Sequence, residues 1–303
     1  MPAEWLTLSD DVRAALADKK PVVALESTLI AHGLPWPVNV ETARESELAV
    51  RQAGALPATI AVLNGVPTVG LSDRQIEELA GAGNVKKASR RDLGAAVALK
   101  QTAATTVSAT MALAHAAGIR VFATGGIGGA HTGAEPFDIS ADLTELARTP
   151  VLVVCAGAKS ILHLPRTLEI LETLGVPVVG YGVDAFPAFY VRDHSPALPV
   201  SARVDSPREA AELFASHVRM GGGGVILARP CPAEVAIAQS EFDRWCAEAE
   251  RQARESGVSG ARVTPFLLAR IAELSGGRTL AANRALIVAN AGLAAEVAVA
   301  MAK

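Results

Sequence analysis

The stretch TGGIGGAHTGAEPFDISADLTELARTPVLVVCAGAKS, residues 124–160, decides the fold of this chain. It sets a glycine cluster (Gly125, Gly126, Gly128, Gly129), a histidine, an acidic turn and a lysine at the ends of two apolar runs, residues 119–123 and 151–155. Each run is short, rich in β-branched residues and followed by glycine, which is the pattern of a buried parallel strand. Ligands of open α/β sheets bind just beyond the carboxyl ends of such strands, so the chemistry is expected here.

The composition agrees. The 303 residues are 50% hydrophobic but only 4% aromatic, so the core must be built from Ala, Val, Leu and Ile, as when helices pack on a parallel sheet. A net charge of -3 and a pI near 6.1 give no general attraction to a nucleic acid polymer or an anionic membrane. The three cysteines, Cys155, Cys231 and Cys246, show no metal spacing, and MPAEWLTLSDD lacks a basic-then-apolar leader pattern. Reduced thiols in a cytoplasmic protein follow. The apolar tail, residues 285–302, is interrupted by Asn290 and Glu296 and reads as a buried helix, not a membrane span.

In chain order, Ser9 and Asp10 cap a first helix, and residues 21–25 form a strand that ends in Glu26, Ser27 and Thr28. A carboxylate there either faces a polar cleft or is a plain surface end. Asn39 is placed to cap a helix that stops at Gly54. Asn64-Gly65 joins residues 58–63 and 66–70 as an antiparallel hairpin in an otherwise parallel set. Ser72 with Gln75, and Ser89 with Asp92, form capping boxes. The basic run at residues 85–91 is either a solvated face or an anion site against a helix start. Residues 105–108 open an Ala-rich helix ending at Gly118, within which His115 reads as a core or interface histidine. Beyond residue 160 come a helix, a strand at 176–180, an aromatic stretch with Phe186, Phe189 and Tyr190, a helix capped by Ser206-Pro207, a strand at 225–228, and three helical segments, the middle one started by Thr264-Pro265. With no linker or repeat, residues 1–303 read as one α/β domain, a mostly parallel central sheet flanked by helices with a small antiparallel hairpin.

The glycines let backbone approach a ligand and present N–H groups to anionic oxygens. They do not spell a dinucleotide fingerprint, because His131 stands where a small residue is needed. Nor is residue 153–160 a phosphate loop, since Val153 and Ala158 occupy its glycine positions. Lys159 is expected to begin a helix at residues 160–164, either as a lysine reaching solvent or as an amine nucleophile. For half of it to be neutral near pH 7, its pKa must fall roughly three units from ~10.4, about 4–5 kcal/mol. A helix terminus supplies only ~0.3–1 kcal/mol, so the nucleophile requires burial, aided by a cation such as Lys87. Asp138 and Asp142 flank the cap residue Ser140 and serve either as helix-dipole partners or as oxygen ligands of a hydrated divalent ion. His131 is either a phosphate donor or a loop-packing residue.

Together ALESTLIAHGLPWP from Ala24, VKKASRRDL from Val85, ATTVSATMALAHAAGIRVFATGGIGGAH from Ala104, GAEPFDISADL from Gly133, VVCAGAKSILHL from Val153 and TPFLLARIAELSGG from Thr264 resemble the pseudouridine-5'-phosphate glycosidase family of the indigoidine synthase A group. The resemblance spans almost the whole chain after residue 20. It implies an indigoidine synthase A-like α/β fold and reversible cleavage of the C-glycosidic bond of pseudouridine 5'-phosphate to uracil and ribose 5-phosphate. By resemblance, Lys159 is the nucleophile and Glu26 the proton donor. Asp138 binds a divalent metal, Mn²⁺ before Mg²⁺, one per subunit. Lys87, Val107, Ser140, Ala141 and Asp142 contact substrate, and Thr124, His131 and Asn283 lie in or near the site. His163 matches no family position and reads as structural. A homotrimer, and a separate pseudouridine kinase as pathway partner, are also implied.

The residue types suit that chemistry. A C-glycoside offers no departing heteroatom, so an amine that opens the ribose ring, with Glu26 protonating the ring oxygen, supplies an iminium electron sink for the carbon–carbon bond. The rival readings are a related C-glycoside enzyme acting on a different base, and a sugar-phosphate-binding protein without turnover.

Overall fold

The computed structural model describes residues 3–132, 138–192, 194, 196–258 and 263–302. The strands, in chain order, are β1 (Thr7–Leu8), β2 (Val22–Leu25), β3 (Leu56–Leu63), β4 (Val66–Val69), β5 (Lys86–Ala88), β6 (Ala103–Thr105), β7 (Val121–Ala123), β8 (Leu152–Cys155), β9 (Val178–Tyr181), β10 (Ala202–Val204) and β11 (Val225–Ala228). The helices are α1 (Asp10–Ala17), α2 (Val38–Gln52), α3 (Asp73–Gly81), α4 (Leu93–Ala98), α5 (Val107–Ala117), α6 (Ala141–Arg148), α7 (Leu164–Thr173), α8 (Pro207–Arg219), α9 (Gln239–Glu255), α10 (Val263–Leu274) and α11 (Arg278–Met301). Gly133 and the rest of residues 133–137, and the side chains of Thr264 and Pro265, lie outside the described residues.

The strands pair in the order β1-β4-β3-β2-β7-β8-β11-β9-β10, parallel except at β3–β4. The middle of this order, β2, β7, β8 and β11, is buried along its whole length, which is why these segments read as unbroken apolar runs. The hairpin forms as expected, with Asn64 and Gly65 both at positive φ (50° and 82°) as a two-residue turn requires.

One part of the sheet departs from the sequence reading. β3 has 8 residues whereas β2 has 4, so β2 pairs only with Leu56 through Thr59. Beyond that point β6 takes its place, pairing antiparallel through Ala61 and Val62, and β5 pairs with β6. Thus the basic run expected as a solvated face or anion site contains an inserted strand. The capping boxes at Ser72 and Ser89 both form. Asn39 does not cap α2, whose cap position is Pro37. Instead its amide donates to the Ile30 carbonyl at 2.7 Å, because residue 39 already lies inside the helix and its side chain turns toward the single π-turn at Leu29–Gly33. His115 is exposed at the end of α5 and is not a core residue, since it falls on the outer side of a helix whose other faces are packed.

α11 lies against α2, α8 and the strands β2, β7 and β8. Among the described residues it is the one helix long and apolar enough to cross a membrane, with 24 residues, yet half of its apolar window is buried by the protein itself. Its alanine-rich faces allow close approach to the sheet, as the aliphatic composition demands. The three cysteines are unpaired, with Cys155 and Cys231 buried.

Gly157 turns the chain after β8 with φ +81°, and a Cβ there would stand 2.0 Å from the Pro187 carbonyl oxygen. Gly175 has a similar φ of +70° with open space around it. Gly175→Ala should therefore cost about 1–3 kcal/mol from backbone strain alone, and Gly157→Ala distinctly more. Denaturant midpoints of the two variants check the ranking.

Candidate active site

Three strand ends and the inserted β5–β6 pair bring the predicted residues together. Glu26 follows β2 and Thr124 follows the neighbouring β7, so the Thr124 hydroxyl donates to the Glu26 carboxylate. The Ser27 hydroxyl accepts from the Thr105 amide at 2.9 Å, and the Thr105 hydroxyl donates to the Ile60 carbonyl at 2.7 Å. The first bond fastens the end of β2 to β6, and the second fastens β6 to β3. Since Lys87 is in register with Ala104 of β6, its side chain arrives beside Glu26.

Glu26, Lys87, Asp142 and Lys159 act on one another electrostatically. Burial raises the Glu26 carboxyl above its ordinary value, and Asp142 adds to this. Lys159, the Thr124 hydroxyl and Lys87 oppose it without cancelling it. Lys87 keeps solvent access, but burial of its surroundings and the charge of Lys159 push its ammonium below the usual lysine range, against the pull of Glu26 and Asp142. Lys159 is half-buried. The arrangement therefore holds an acid biased toward its protonated form beside two amines, the composition that proton donation coupled to amine attack requires.

Lys159 does not begin a helix. Residues 156–163 run along the glycine loop instead. The Ala156 amide donates to the Gly125 carbonyl at 2.8 Å, Ile127 to Gly157 at 3.0 Å, Lys159 to Ile127 at 3.2 Å and His163 to Ala130 at 2.8 Å. Because these donors and acceptors bond across to the loop, the next helix starts only at Leu164, where Pro165 fits the first turn and the His163 ring accepts from the Arg166 amide at 3.2 Å. His163 is thus a cap, and Lys159 lies ahead of α7 without forming its first turn. The aromatic stretch supports this strap from behind, with the Phe189 amide donating to the Ala156 carbonyl at 3.0 Å and the Ser160 hydroxyl to that of Ala188 at 2.6 Å.

The glycine loop is less a ligand cradle than a packing device. The amides of Ile127, Gly128, Ala130 and His131 all bond to protein oxygens. A Cβ on Gly128 would stand 2.3 Å from the Ser140 hydroxyl oxygen and 2.9 Å from an Asp142 oxygen. Ser140 caps α6, accepting from the Asp142 amide at 3.2 Å. The Asp142 carboxylate is buried and accepts from the Ser108 amide on one oxygen and the Gly128 amide on the other, both at 2.9 Å. It therefore ties the first turn of α5 to the glycine loop. Val107, the first residue of α5, is buried beside it, and Ala141 is exposed.

His131 and Asp138 stand at the mouth of the loop, with His131 Nδ1 3.2 Å from Asp138 Oδ1. The Asp138 side chain is 62% exposed. Among the described residues no three side chains converge as metal ligands, and Asp142 already holds two amides. The donor set fits an Mg²⁺ or Mn²⁺ ion only if that ion keeps most of its waters and takes Asp138 as its protein ligand, a habit of both metals.

α11 closes the site from the other side. The Asn283 amide oxygen lies 3.5 Å from where a Cβ of Gly125 would be. Asn290 escaped the sequence reading as a site residue. It is buried, and its amide donates to the carbonyls of Thr124 at 2.9 Å and Gly125 at 3.4 Å. The signal for it was an amide in the middle of an apolar helix, which costs about 1–3 kcal/mol unless it finds partners.

The model of the indigoidine synthase A-like proteins matches residues 11–300. Pseudouridine-5'-phosphate glycosidase of Solibacter usitatus is 55% identical over 97% of this chain and 98% of its own length. The proteins of the same name from Herpetosiphon aurantiacus and Geobacillus kaustophilus are 54% and 52% identical, over 98% and 97% of this chain and 98% of each relative. Among solved structures, the prealnumycin C-glycosynthase AlnA in complex with ribulose 5-phosphate superposes with a TM-score of 0.92 at 42% identity, covering 99% of this chain and 98% of its own. An indigoidine synthase A-like protein of Thermotoga maritima superposes at 0.88 with 34% identity, covering 100% and 99%. By sequence over nearly its whole length and by fold, this chain belongs to the indigoidine synthase A-like family.

Proposed function

We propose that this chain reversibly cleaves the carbon–carbon glycosidic bond of pseudouridine 5'-phosphate, releasing uracil and ribose 5-phosphate. The observation that carries this reading is the electrostatic coupling of Glu26 with Lys87 and Lys159, in a chain more than half identical to full-length relatives named for that activity.

The Lys159 amine bonds to C1′ of the ribose as the bond from C1′ to the ring oxygen breaks, and Glu26 gives its proton to that oxygen. The ammonium so formed returns a proton to the Glu26 carboxylate, and the freed nitrogen lone pair expels the uracil ring, whose C5 takes up a proton, leaving a protonated imine between Lys159 and C1′. Water hydrolyses the imine and frees ribose 5-phosphate and the lysine. Glu26 suits the first step because its raised pKa keeps the transferable proton available. Lys87 is the cation for the phosphate, which holds C1′ within reach of Lys159. Ser140, Ala141, Val107, His131, Thr124 and Asn283 border the substrate. Asp142 supports it through the two backbone segments it ties together. Asp138, steadied by His131, would hold a hydrated Mn²⁺ or Mg²⁺, which supplies positive charge near the substrate. The enzyme works in the cytoplasm as a homotrimer, with a pseudouridine kinase supplying its substrate.

A second reading has one observation in its favour. The C-glycosynthase at 42% identity shares the whole fold, so the same lysine chemistry could join a different ring to a pentose phosphate. Comparing uracil with other carbon nucleophiles in the synthetic direction separates the two.

Lys159→Ala should abolish cleavage, and borohydride added during turnover should leave a pentose phosphate adduct on Lys159 by mass spectrometry; an adduct on another lysine overturns the mechanism. Glu26→Gln should lower kcat by about 10²–10⁴-fold. Because the native carboxyl is raised above 4.5, its ionisation weakens the fold as pH climbs from 4.5 through the native value. Glu26→Gln should therefore melt higher than the parent at pH 8 and together with it at pH 4. Asp138→Ala, or a chelator, should reduce activity while leaving the melting curve unchanged; full activity in chelator removes the metal from the proposal.

A further inference from the structure

A cavity of about 800 Å³ has none of the proposed catalytic side chains in its wall. It opens where β9 and β11 end, further along the same sheet edge, and includes Tyr181, Arg192, Arg229 and Arg284 in its wall. α11 separates it from the catalytic centre. Leu286, Ile287 and Asn283 of that helix face Gly125 and Asn290 holds Thr124, whereas Ala281, Ala285, Val288 and Ala289 line the cavity.

Its charges are unevenly matched. Arg284 is fully engaged by Glu41 and Glu45. Arg192 and Arg229 each fasten one guanidinium N–H to a backbone carbonyl, Cys231 at 2.9 Å and Ala289 at 2.7 Å. Neither has a carboxylate within ion-pair distance among the described residues. Glu234 lines the same cavity, so Arg192 and Arg229 face one carboxylate between them, while Glu41 and Glu45 together outnumber Arg284. The Arg229 amide also donates to the Cys155 carbonyl at 2.9 Å, so its backbone is locked to β8.

Two guanidiniums held by backbone, with donors to spare, beside an alanine and valine wall form a pocket for a small molecule with an anionic head and an apolar or ring-shaped body. We propose that this cavity is a second ligand site, separate from the catalytic one, that binds a phosphorylated small molecule through Arg192 and Arg229.

The test uses inorganic phosphate as the probe, titrated calorimetrically into the full chain, into Lys87→Ala, and into the double variant Arg192→Gln with Arg229→Gln. The proposal expects a phosphate site that persists in Lys87→Ala and weakens about tenfold or more in the double variant, whose KM for pseudouridine 5'-phosphate stays within about twofold of the parent. Should the double substitution disturb folding, Arg192→Gln alone gives the same comparison without touching the Ala289 bond. A Lys87→Ala isotherm without phosphate binding, or identical isotherms for the parent and the arginine variants, overturns it. A crystal grown in phosphate with no density between the two guanidiniums does so as well. Failure of the proposed activity would leave this titration unaffected, so the two readings fail separately.

Discussion

The difference in length between β2 and β3 is the constraint on which the site depends. A parallel partner that stops four residues before its neighbour leaves backbone donors and acceptors of β3 without a ladder, and buried backbone groups must be paired. β6 fills that gap in the opposite direction and draws β5 along with it. Glu26 is therefore left at the floor of a notch whose wall carries Lys87. Had β2 continued through Ser27 and Thr28, the carboxylate would have alternated onto a packed face of the sheet. The ending of a strand is what turns a costly charge into a usable one.

Within the notch, burial acts on acid and base in opposite senses and toward one result. It raises the Glu26 carboxyl and lowers the Lys87 ammonium, moving each toward its neutral form. Their mutual attraction resists both shifts, while Lys159 resists that of Glu26 and adds to that of Lys87. Burial thus weakens the pairing of Glu26 with Lys87, and their attraction keeps it from being abolished. A phosphate on Lys87 would take over part of the charge balance now supplied by Glu26.

The sequence made the central strands, the hairpin and the capping boxes legible because each is a local matter: an unbroken apolar run, two residues tolerant of positive φ, a hydroxyl three residues before a partner. It also pointed to residues 124–160 as the chemical centre, and Asp142 and Lys159 of that stretch bear electrostatically on Glu26 and Lys87. What escaped was non-local. β5 and β6 are short, 3 residues each, and owe their strand form to vacant bonds on β3. Residues 160–163 would start a helix in isolation, but hydrogen bonds to the glycine loop outweigh that local preference. Asn39 and Asn290 were visible as polar residues in helices, yet their acceptors are 9 and 166 positions away.

The glycines changed meaning for the same reason. A run such as TGGIGG suggests backbone bared for a ligand, and here most of that exposure is consumed by protein. Gly128 must lack a side chain because Ser140 and Asp142 stand against it, and Asp142 must stand there because its carboxylate satisfies the amides of Ser108 and Gly128 together. Close packing of this sort removes freedom from the segments that carry Thr124, His131 and Lys159 before any substrate arrives. Backbone hydrogen bonds thus fix the segments that carry these side chains, and preorganisation of this kind can supply several kcal/mol of a reaction barrier. On this reasoning Asp142 and Asn290 act on the site through the backbone they hold, and the glycine loop through its close packing.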